Sequence, residues 1–172
     1  MSEGYPPVLD ACCGSRTFWF DKHDSRALYV DRRRETHAVD RGTPGTSGRS
    51  PIVIDPDVIA DFTALPFPDG VFSLVVFDPP HIVRTEAKGL FGQKYGILTG
   101  DWRSMLRHGF AECFRVLRPH GVLVFKWAES DRRVGEILAL PPERPLFGHK
   151  SGKASKTHWV CFLKRGDDVD SI

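Results

Sequence analysis

The sequence has few of the features that mark a specialised class of protein. Its 172 residues include only four cysteines and two methionines, and the cysteines have neither the paired spacing of a metal site nor that of a disulfide framework. No apolar run reaches the roughly 18 residues that a membrane-spanning helix needs, and no signal peptide is recognisable. We therefore expect free thiols, no bound metal, no membrane association and a cytoplasmic protein.

Charge of one sign is not in large excess either. Lysine and arginine together number 24, aspartate and glutamate number 22, and the formal net charge is +2 at pH 7. Overall charge therefore does not indicate a nucleic-acid-binding protein, so any basic surface has to be local. The length suits one core, and we expect a single domain over residues 1–172 with flexible ends at 1–7 and 166–172.

The most informative stretch is a short apolar run, residues 71–77, that leads into Asp78, Pro79, Pro80 and His81. An apolar run of this length between turn signals is typical of a buried strand. The strand has to stop at Asp78, because prolines fix φ and have no N–H to donate to a neighbouring strand. Asp78 would then lie at the carboxyl end of a central strand, where open α/β sheets bind ligands. A solvated acid before a Pro-Pro turn is the alternative.

Three other short apolar segments also end in an acid, at Asp10, Asp31 and Asp61. Asp10 leads into a loop of small residues that lets a ligand approach the backbone, and a helix is expected to begin near Thr17 and to offer free N–H groups. Asp31 follows this loop by about 20 residues, the spacing of an acid that binds ribose hydroxyls. Pairing of Asp31 with the arginines that follow it is the alternative.

Several residues in and beyond this loop have two possible roles. Arg16 is either a surface residue or a group near the ligand, and one of the three aromatic residues Phe18, Trp19 and Phe20 is expected to face the site. Cys12 and the cysteine after it are expected to be packing residues rather than nucleophiles, because no base is placed beside them.

The middle of the chain predicts two loops and a strand at the same edge of the sheet. Residues 37–51 are typical of a loop where a crossover helix is usual, and the glycine-rich segment 82–100 is a candidate lid or substrate loop, with an ordinary exposed loop as the alternative. An amphipathic helix capped by Asp101 follows. The next strand ends at Lys126 and Trp127, beside the strand that carries Asp78.

The last part predicts a short helix over residues 129–140 and two strands, 144–148 and 157–164, that form a hairpin. The segment between these strands carries three lysines, Lys150, Lys153 and Lys156. A basic hairpin tip suits contacts with phosphates, and a solubilising turn is the equal alternative.

Parallel strands joined by right-handed crossovers place their carboxyl ends along one edge of a sheet. A row of acids at this edge suits a ligand with a ribose, a cationic group and an adenine. On these residues the chain resembles the class I S-adenosylmethionine-dependent methyltransferases, from Val8 to Lys164. The resemblance implies a single Rossmann-like α/β domain with a mostly parallel seven-stranded sheet and a C-terminal antiparallel hairpin.

The resemblance also implies the cofactor S-adenosyl-L-methionine and the product S-adenosyl-L-homocysteine. The segment 8–14 resembles the methionine-binding loop, Asp31 the acid that binds the ribose, and Asp61 with Phe62 the pair that holds the adenine. The cofactor-binding residues that the resemblance implies are Asp10, Ala11, Cys12, Gly14, Arg16, Asp31, Asp61, Phe62 and Asp78.

The run Asp78-Pro79-Pro80-His81 is similar to the Asp/Asn-Pro-Pro-aromatic signature of the amino-methylating branch of this family. In that branch the acceptor is usually an exocyclic amino group of a nucleic-acid base, adenine N6 above all. The similarity implies that Asp78 and the Pro79 carbonyl accept the two N–H groups and favour the pyramidal nitrogen that attacks the methyl group. His81 takes the place of the usual Tyr, Phe or Trp, which weakens stacking and allows a role in proton transfer.

The substrate that this resemblance favours is a base in DNA or RNA. The alternatives are a small molecule or free nucleotide, or a methyltransferase fold that binds without turnover. No segment is long enough for a separate target-recognition domain, so recognition would fall to loops 37–51 and 82–100, to the hairpin 149–156, or to a protein partner or second copy. The expected substrate-binding residues are His81, Lys88, Lys94, Tyr95, Lys126, Trp127, Lys150, Lys153 and Lys156.

Overall fold

The computed structural model describes residues 4–38, 51–83, 96–150 and 156–166. The strands in these ranges are β1 (Val8–Asp10), β2 (Ala27–Asp31), β3 (Glu35–His37), β4 (Ile52–Ile54), β5 (Val58–Ile59), β6 (Phe72–Phe77), β7 (Leu117–Ala128), β8 (Phe147–Lys150) and β9 (Thr157–Leu163). The helices there are α1 (Trp102–Val116) and α2 (Val134–Ile137). Neither of these helices in the described part of the chain is long and apolar enough to cross a membrane.

Seven of the strands form one sheet in the order β5-β2-β1-β6-β7-β9-β8. The five strands from β5 to β7 run parallel, and β9 and β8 pair antiparallel at the other end. The sheet confirms the predicted Rossmann-like fold, mostly parallel with a C-terminal antiparallel hairpin. The short pieces β3 and β4 form a separate antiparallel pair.

The four acids lie at one edge of the sheet, because each stands at or just after the carboxyl end of a parallel strand. Their order across the edge is Asp61, Asp31, Asp10 and Asp78, since β1 pairs with β2 on one side and with β6 on the other. Along the chain, β2 and β5 are added on one side of β1, and β6 and β7 are then added on its other side, so the strand order reverses between β1 and β6. In open α/β sheets this switch point is where the crevice for a ligand opens.

Helix α1 packs its apolar side on the sheet and contributes six buried residues to the main core. The side chain of Asp101 accepts a hydrogen bond from Ser104 N, which confirms the predicted cap. The ring centres of Phe110 in the helix and Phe125 in β7 lie 4.9 Å apart, and the two ring planes are tilted by 56°. The helix approaches the sheet closely at Gly109, where a Cβ would lie 2.6 Å from the ring of Phe62.

The connection between β1 and β2 consists of turns, and the helix predicted near Thr17 is wrong. The carboxylate of Asp21 accepts a hydrogen bond from His23 N at 2.9 Å, and that of Asp24 accepts one from Arg26 N at 3.0 Å. Such side-chain-to-backbone bonds hold turns that compete with helix formation. Consequently the N–H groups at this part of the edge come from a loop and not from a helix terminus.

The helix predicted over residues 129–140 is also shorter than expected, since α2 covers only Val134–Ile137. The carboxylate of Glu129 accepts a hydrogen bond from Val134 N at 3.0 Å and fixes the residues between them as turns. The predicted loops at 37–51 and 82–100 lie largely outside the described residues.

Candidate active site

A cleft opens at the carboxyl edge of the sheet, above β2, β1 and β6. Six of the residues expected to bind the cofactor line it: Ala11, Cys12, Gly14, Asp31, Phe62 and Asp78. Further lining residues are Cys13, Ser15, Thr17, Phe18, Arg32, Arg33, Ala60, Pro80 and Gly96. The cleft therefore joins the loop after β1 to the end of β6, across the switch point of the sheet.

Asp31 is the best-anchored acid of the cleft. Its side chain is buried, one oxygen accepts a hydrogen bond from Gly14 N at 3.0 Å, and the other accepts from Arg33 N at 2.9 Å and Arg33 Nε at 3.2 Å. Arg33 also lies close to the opposite wall, because a Cβ at Gly96 would be 3.6 Å from Arg33 Cζ and 3.3 Å from Pro80 Cγ. Pairing with an arginine, one of the two alternatives raised by the sequence for Asp31, is therefore present, and the binding of ribose hydroxyls stays a prediction.

Asp61 and Phe62 follow β5 at the end of the cleft beside β2. The carboxylate of Asp61 accepts hydrogen bonds from Thr63 N at 2.9 Å and Thr63 Oγ1 at 2.7 Å. The ring of Phe62 is buried and lies 5.4 Å from that of Phe77. In the described part of the cleft Phe62 offers an apolar wall, whereas Asp61 lies beside the lining and fixes the turn.

Arg16 does not line the cleft in the part of the chain that the structure describes. Its guanidinium donates hydrogen bonds to the backbone oxygens of Lys22 at 2.5 Å and Asp55 at 2.7 Å, and it lies 3.7 Å from the centre of the Tyr29 ring. These contacts tie the β1–β2 connection to the segment before β5. Arg16 therefore stabilises the fold around the site, and its predicted role in cofactor binding stays a prediction.

Asp10 lies beneath the cleft and is completely buried. One carboxylate oxygen accepts a hydrogen bond from Trp19 Nε1 at 2.7 Å and the other from Cys12 N at 3.3 Å. Burial raises the pKa of Asp10 to about 7, although both hydrogen bonds act in the opposite direction. Asp10 thus organises the loop that follows β1 and links it to Trp19.

The raised pKa of Asp10 predicts a pH-dependent stability. The folded state holds the proton up to about pH 7, whereas the unfolded chain releases it near pH 4, so stability from this group is lost as the pH rises between these values. We expect Asp10→Asn to remove this loss. Urea titrations at each pH give the free energy of unfolding of the wild type and of the variant. The wild-type value minus the variant value should fall by roughly 4 kcal/mol between pH 4 and pH 8. A difference that stays constant with pH would contradict this assignment.

Asp78 and Lys126 form an ion pair at the other end of the cleft. Lys126 Nζ lies 2.5 Å from Asp78 Oδ2, and the two side chains are only 18% and 14% exposed. Burial raises the pKa of Asp78, and the ammonium of Lys126 acts in the opposite direction. Pro79 is buried behind this pair, and Pro80 lines the cleft.

His81 sits just beyond the pair, with its ring edge-on to Trp127 at 6.4 Å. Burial lowers the pKa of His81, so the neutral imidazole prevails at pH 7. Trp127 itself is fully buried and donates a hydrogen bond from Nε1 to the Arg132 backbone oxygen. The expectation that Trp127 contacts a substrate is therefore wrong.

Two aromatic residues flank Lys126. Nζ of Lys126 lies 5.4 Å from the ring centre of Phe18 and 5.7 Å from that of Trp159. The two rings contact each other edge to face at 5.6 Å. Phe18 was one of three candidate aromatic residues for the site, but nothing in the sequence indicated Trp159, which β9 brings across from the end of the chain.

The remaining predicted substrate residues are in the basic hairpin and in the loop after His81. Lys150 and Lys156 are exposed. Lys150 is the last residue of β8, and Lys156 directly precedes β9. The other predicted lysines and the tyrosine lie outside the described residues: Lys88, Lys94, Tyr95 and Lys153. Among the described residues, no group of three or more His, Cys, Asp or Glu side chains could hold a metal ion.

No protein-family model and no curated protein matches the chain. Among solved structures, it is similar to the TehB-like SAM-dependent methyltransferase of Corynebacterium glutamicum, with a TM-score of 0.56, 16% identity, and coverage of 94% of this chain and 82% of that one. It is also similar to the N-methyltransferase NodS of Bradyrhizobium japonicum WM9 in complex with S-adenosyl-L-homocysteine, with a TM-score of 0.53, 16% identity, and coverage of 91% and 76%.

A third similar structure is the Burkholderia thailandensis 1,6-didemethyltoxoflavin-N1-methyltransferase with bound 1,6-didemethyltoxoflavin and S-adenosylhomocysteine. Its TM-score is 0.52 at 15% identity, over 92% of this chain and 70% of that one. These likenesses show that the chain has the fold of the class I S-adenosylmethionine-dependent methyltransferases. They give no support to the narrower resemblance of residues 78–81 to the adenine-methylating branch, which stays a prediction.

Proposed function

We propose that this protein is an S-adenosylmethionine-dependent methyltransferase that acts on an amino nitrogen of a small planar heteroaromatic molecule. The observation that carries the proposal is the position of Asp78. Its carboxylate lines the same cleft as Asp31 and Gly14, directly across the switch point, so an acceptor bound at Asp78 would face a cofactor bound at Asp31.

The residues of the cleft fit the cofactor. A carboxylate has about four lone-pair positions, and three of those of Asp31 are used by Gly14 N, Arg33 N and Arg33 Nε. Movement of the Arg33 side chain frees a second position, so that Asp31 binds both ribose hydroxyls. Phe62 and Ala60 give the adenine an apolar wall, and the loop 11–14 lies where the methionine part would bind.

S-adenosyl-L-methionine, when bound, supplies a methyl group on a positively charged sulfur. The acceptor nitrogen is a poor nucleophile because its lone pair is delocalised into the ring. Asp78 and the Pro79 carbonyl accept its N–H groups, which returns electron density to the nitrogen and orients the lone pair toward the methyl group. Once methylated, the acceptor nitrogen would carry a positive charge and one proton too many, and Asp78 would accept that proton.

The proposal favours a small molecule or free nucleotide over DNA or RNA. Two of the similar structures are N-methyltransferases, and one of these holds a small heterocycle. A nucleic-acid base is the second candidate, because Lys150 and Lys156 are exposed at the basic end of the sheet and could contact phosphates. Bases extruded from a strand present the same planar amine to the enzyme.

Incubation with cofactor labelled in the methyl group tests the proposal. Separate reactions contain a metabolite extract, total RNA or pooled DNA, and mass spectrometry then identifies the methylated compound. We expect label in the metabolite fraction, on a heteroaromatic amine. Label in RNA or DNA would support the second candidate, and failure of the protein to bind S-adenosyl-L-homocysteine in calorimetry would overturn the proposed enzyme activity.

A further inference from the structure

The side chains around Lys126 form a small notch on one face of the sheet. Lys126 stands directly opposite Trp159 in the pairing of β7 with β9, so both side chains point to the same face. That face is opposite to the one on which Phe125, the residue before Lys126, packs against Phe110 of α1. Phe18 closes the notch from the β1–β2 connection, so the notch adjoins the cleft without belonging to the core.

The ion pair leaves bonding capacity on both of its partners. An ammonium group has three N–H donors, and a carboxylate has about four lone-pair positions. The contact between Lys126 and Asp78 uses one of each. Since both side chains keep a small part of their surface exposed, the pair presents one hydrogen-bond acceptor and one donor side by side, next to two aromatic rings.

This pattern is complementary to the edge of one class of molecule. In an amino-substituted heteroaromatic ring, the exocyclic N–H is a donor. An unprotonated ring nitrogen bonded to the carbon that carries the amino group is an acceptor. Adenine and cytosine both have such an edge, whereas an aniline or a ring with carbon at that position has only the donor. Planar rings also pack well against the faces or edges of aromatic side chains.

Building on the proposed function, we propose that Lys126 determines acceptor specificity by donating a hydrogen bond to the ring nitrogen next to the methylated amino group. Asp78 accepts the amino N–H at the same time, and Phe18 and Trp159 contact the ring. These two residues supply the stacking surface that His81 does not, since His81 packs edge-on against Trp127. A ring that lacks this nitrogen leaves an N–H of the half-buried Lys126 ammonium unpaired. Such a ring should therefore bind more weakly.

Calorimetric titration of the protein saturated with S-adenosyl-L-homocysteine tests this role, because the cofactor cleft is then occupied. The probes are two matched pairs, adenosine with 1-deazaadenosine and cytidine with 3-deazacytidine. For at least one pair, the wild type should bind the nitrogen-containing member about tenfold to a hundredfold more tightly, as expected for a hydrogen bond from a charged donor. Lys126→Met should bind both members equally, and Lys126→Arg should keep the preference.

The control variant is Lys22→Met, which removes an exposed lysine of the β1–β2 connection and should behave as the wild type. Two results would overturn the assignment of Lys126. One is that Lys126→Met prefers the nitrogen-containing probes as strongly as the wild type does, and the other is that the wild type binds none of the probes. Binding of S-adenosyl-L-homocysteine itself separates the two proposals: if it persists, only the specificity role has failed. Thermal melts of each variant distinguish loss of binding from loss of folding.

Discussion

Replacing Asp78 with asparagine should lower kcat/KM for methyl transfer by about a hundredfold to a thousandfold, the usual effect of removing one preorganised polar group at a reacting centre. Asparagine keeps the shape of the side chain but loses its charge, so it activates the amino group weakly and leaves Lys126 half-buried without a counter-ion. Initial rates with the acceptor identified by the labelling experiment measure this effect. Affinity for S-adenosyl-L-homocysteine should change little.

A suitable control is Asp69→Asn, which removes an exposed carboxylate that pairs with Arg115 outside the cleft. This variant should keep the wild-type rate. An Asp78→Asn protein that transfers methyl groups at the wild-type rate would show that the carboxylate does not activate the acceptor. Because burial raises the pKa of Asp78, the wild-type rate should also fall on the acidic side at a higher pH than an exposed aspartate would give.

Asp31→Ala should weaken binding of S-adenosyl-L-homocysteine by about a hundredfold, because two hydrogen bonds from the ribose to a charged group are lost. The change also removes one carboxylate partner of Arg33, whose ion pair with Glu35 at 3.4 Å remains. Calorimetry at constant ionic strength measures the effect, and thermal melts show whether the variant folds.

The matched control for this change is Asp24→Ala, which removes a carboxylate that bonds to Arg26 in an exposed turn. Its affinity for S-adenosyl-L-homocysteine should equal that of the wild type. Since Asp31 is buried and also anchors Gly14, Asp31→Asn provides a milder second test. If both folded variants bind the product with wild-type affinity, Asp31 stabilises the loop and does not bind the ribose.

The strands of the cofactor half of the site could be predicted because local sequence determines them. Each acid follows an apolar segment at a turn signal, and the sheet places such strand ends at one edge whatever the exact register. The helix expected near Thr17 is absent for an equally local reason: the carboxylates of Asp21 and Asp24 bond the backbone in turns that compete with a helix. Nothing in the apolar pattern reveals that competition.

The acceptor half was harder to predict because its contacts join distant parts of the chain. Lys126 could be placed beside Asp78 from the strand order alone, but the 2.5 Å ion pair depends on the register of β6 with β7. Trp159 enters through the antiparallel return of β9, which sequence patterns do not align residue by residue. Lys126 and Trp127 were both expected to face the site, but neighbours on a strand point to opposite faces of the sheet, and Trp127 is fully buried.

The β1–β2 connection has a consequence for how this protein can diversify. Phe18 and Trp19 are consecutive, yet one contacts Trp159 at the acceptor notch and the other binds the carboxylate of Asp10 beneath the cofactor cleft. A mutation that moves this segment to admit a new acceptor therefore disturbs the cofactor side in the same step. Adaptation to other acceptors is expected to proceed through Trp159 and its hairpin, because changes there leave the hydrogen bond between Trp19 and Asp10 intact.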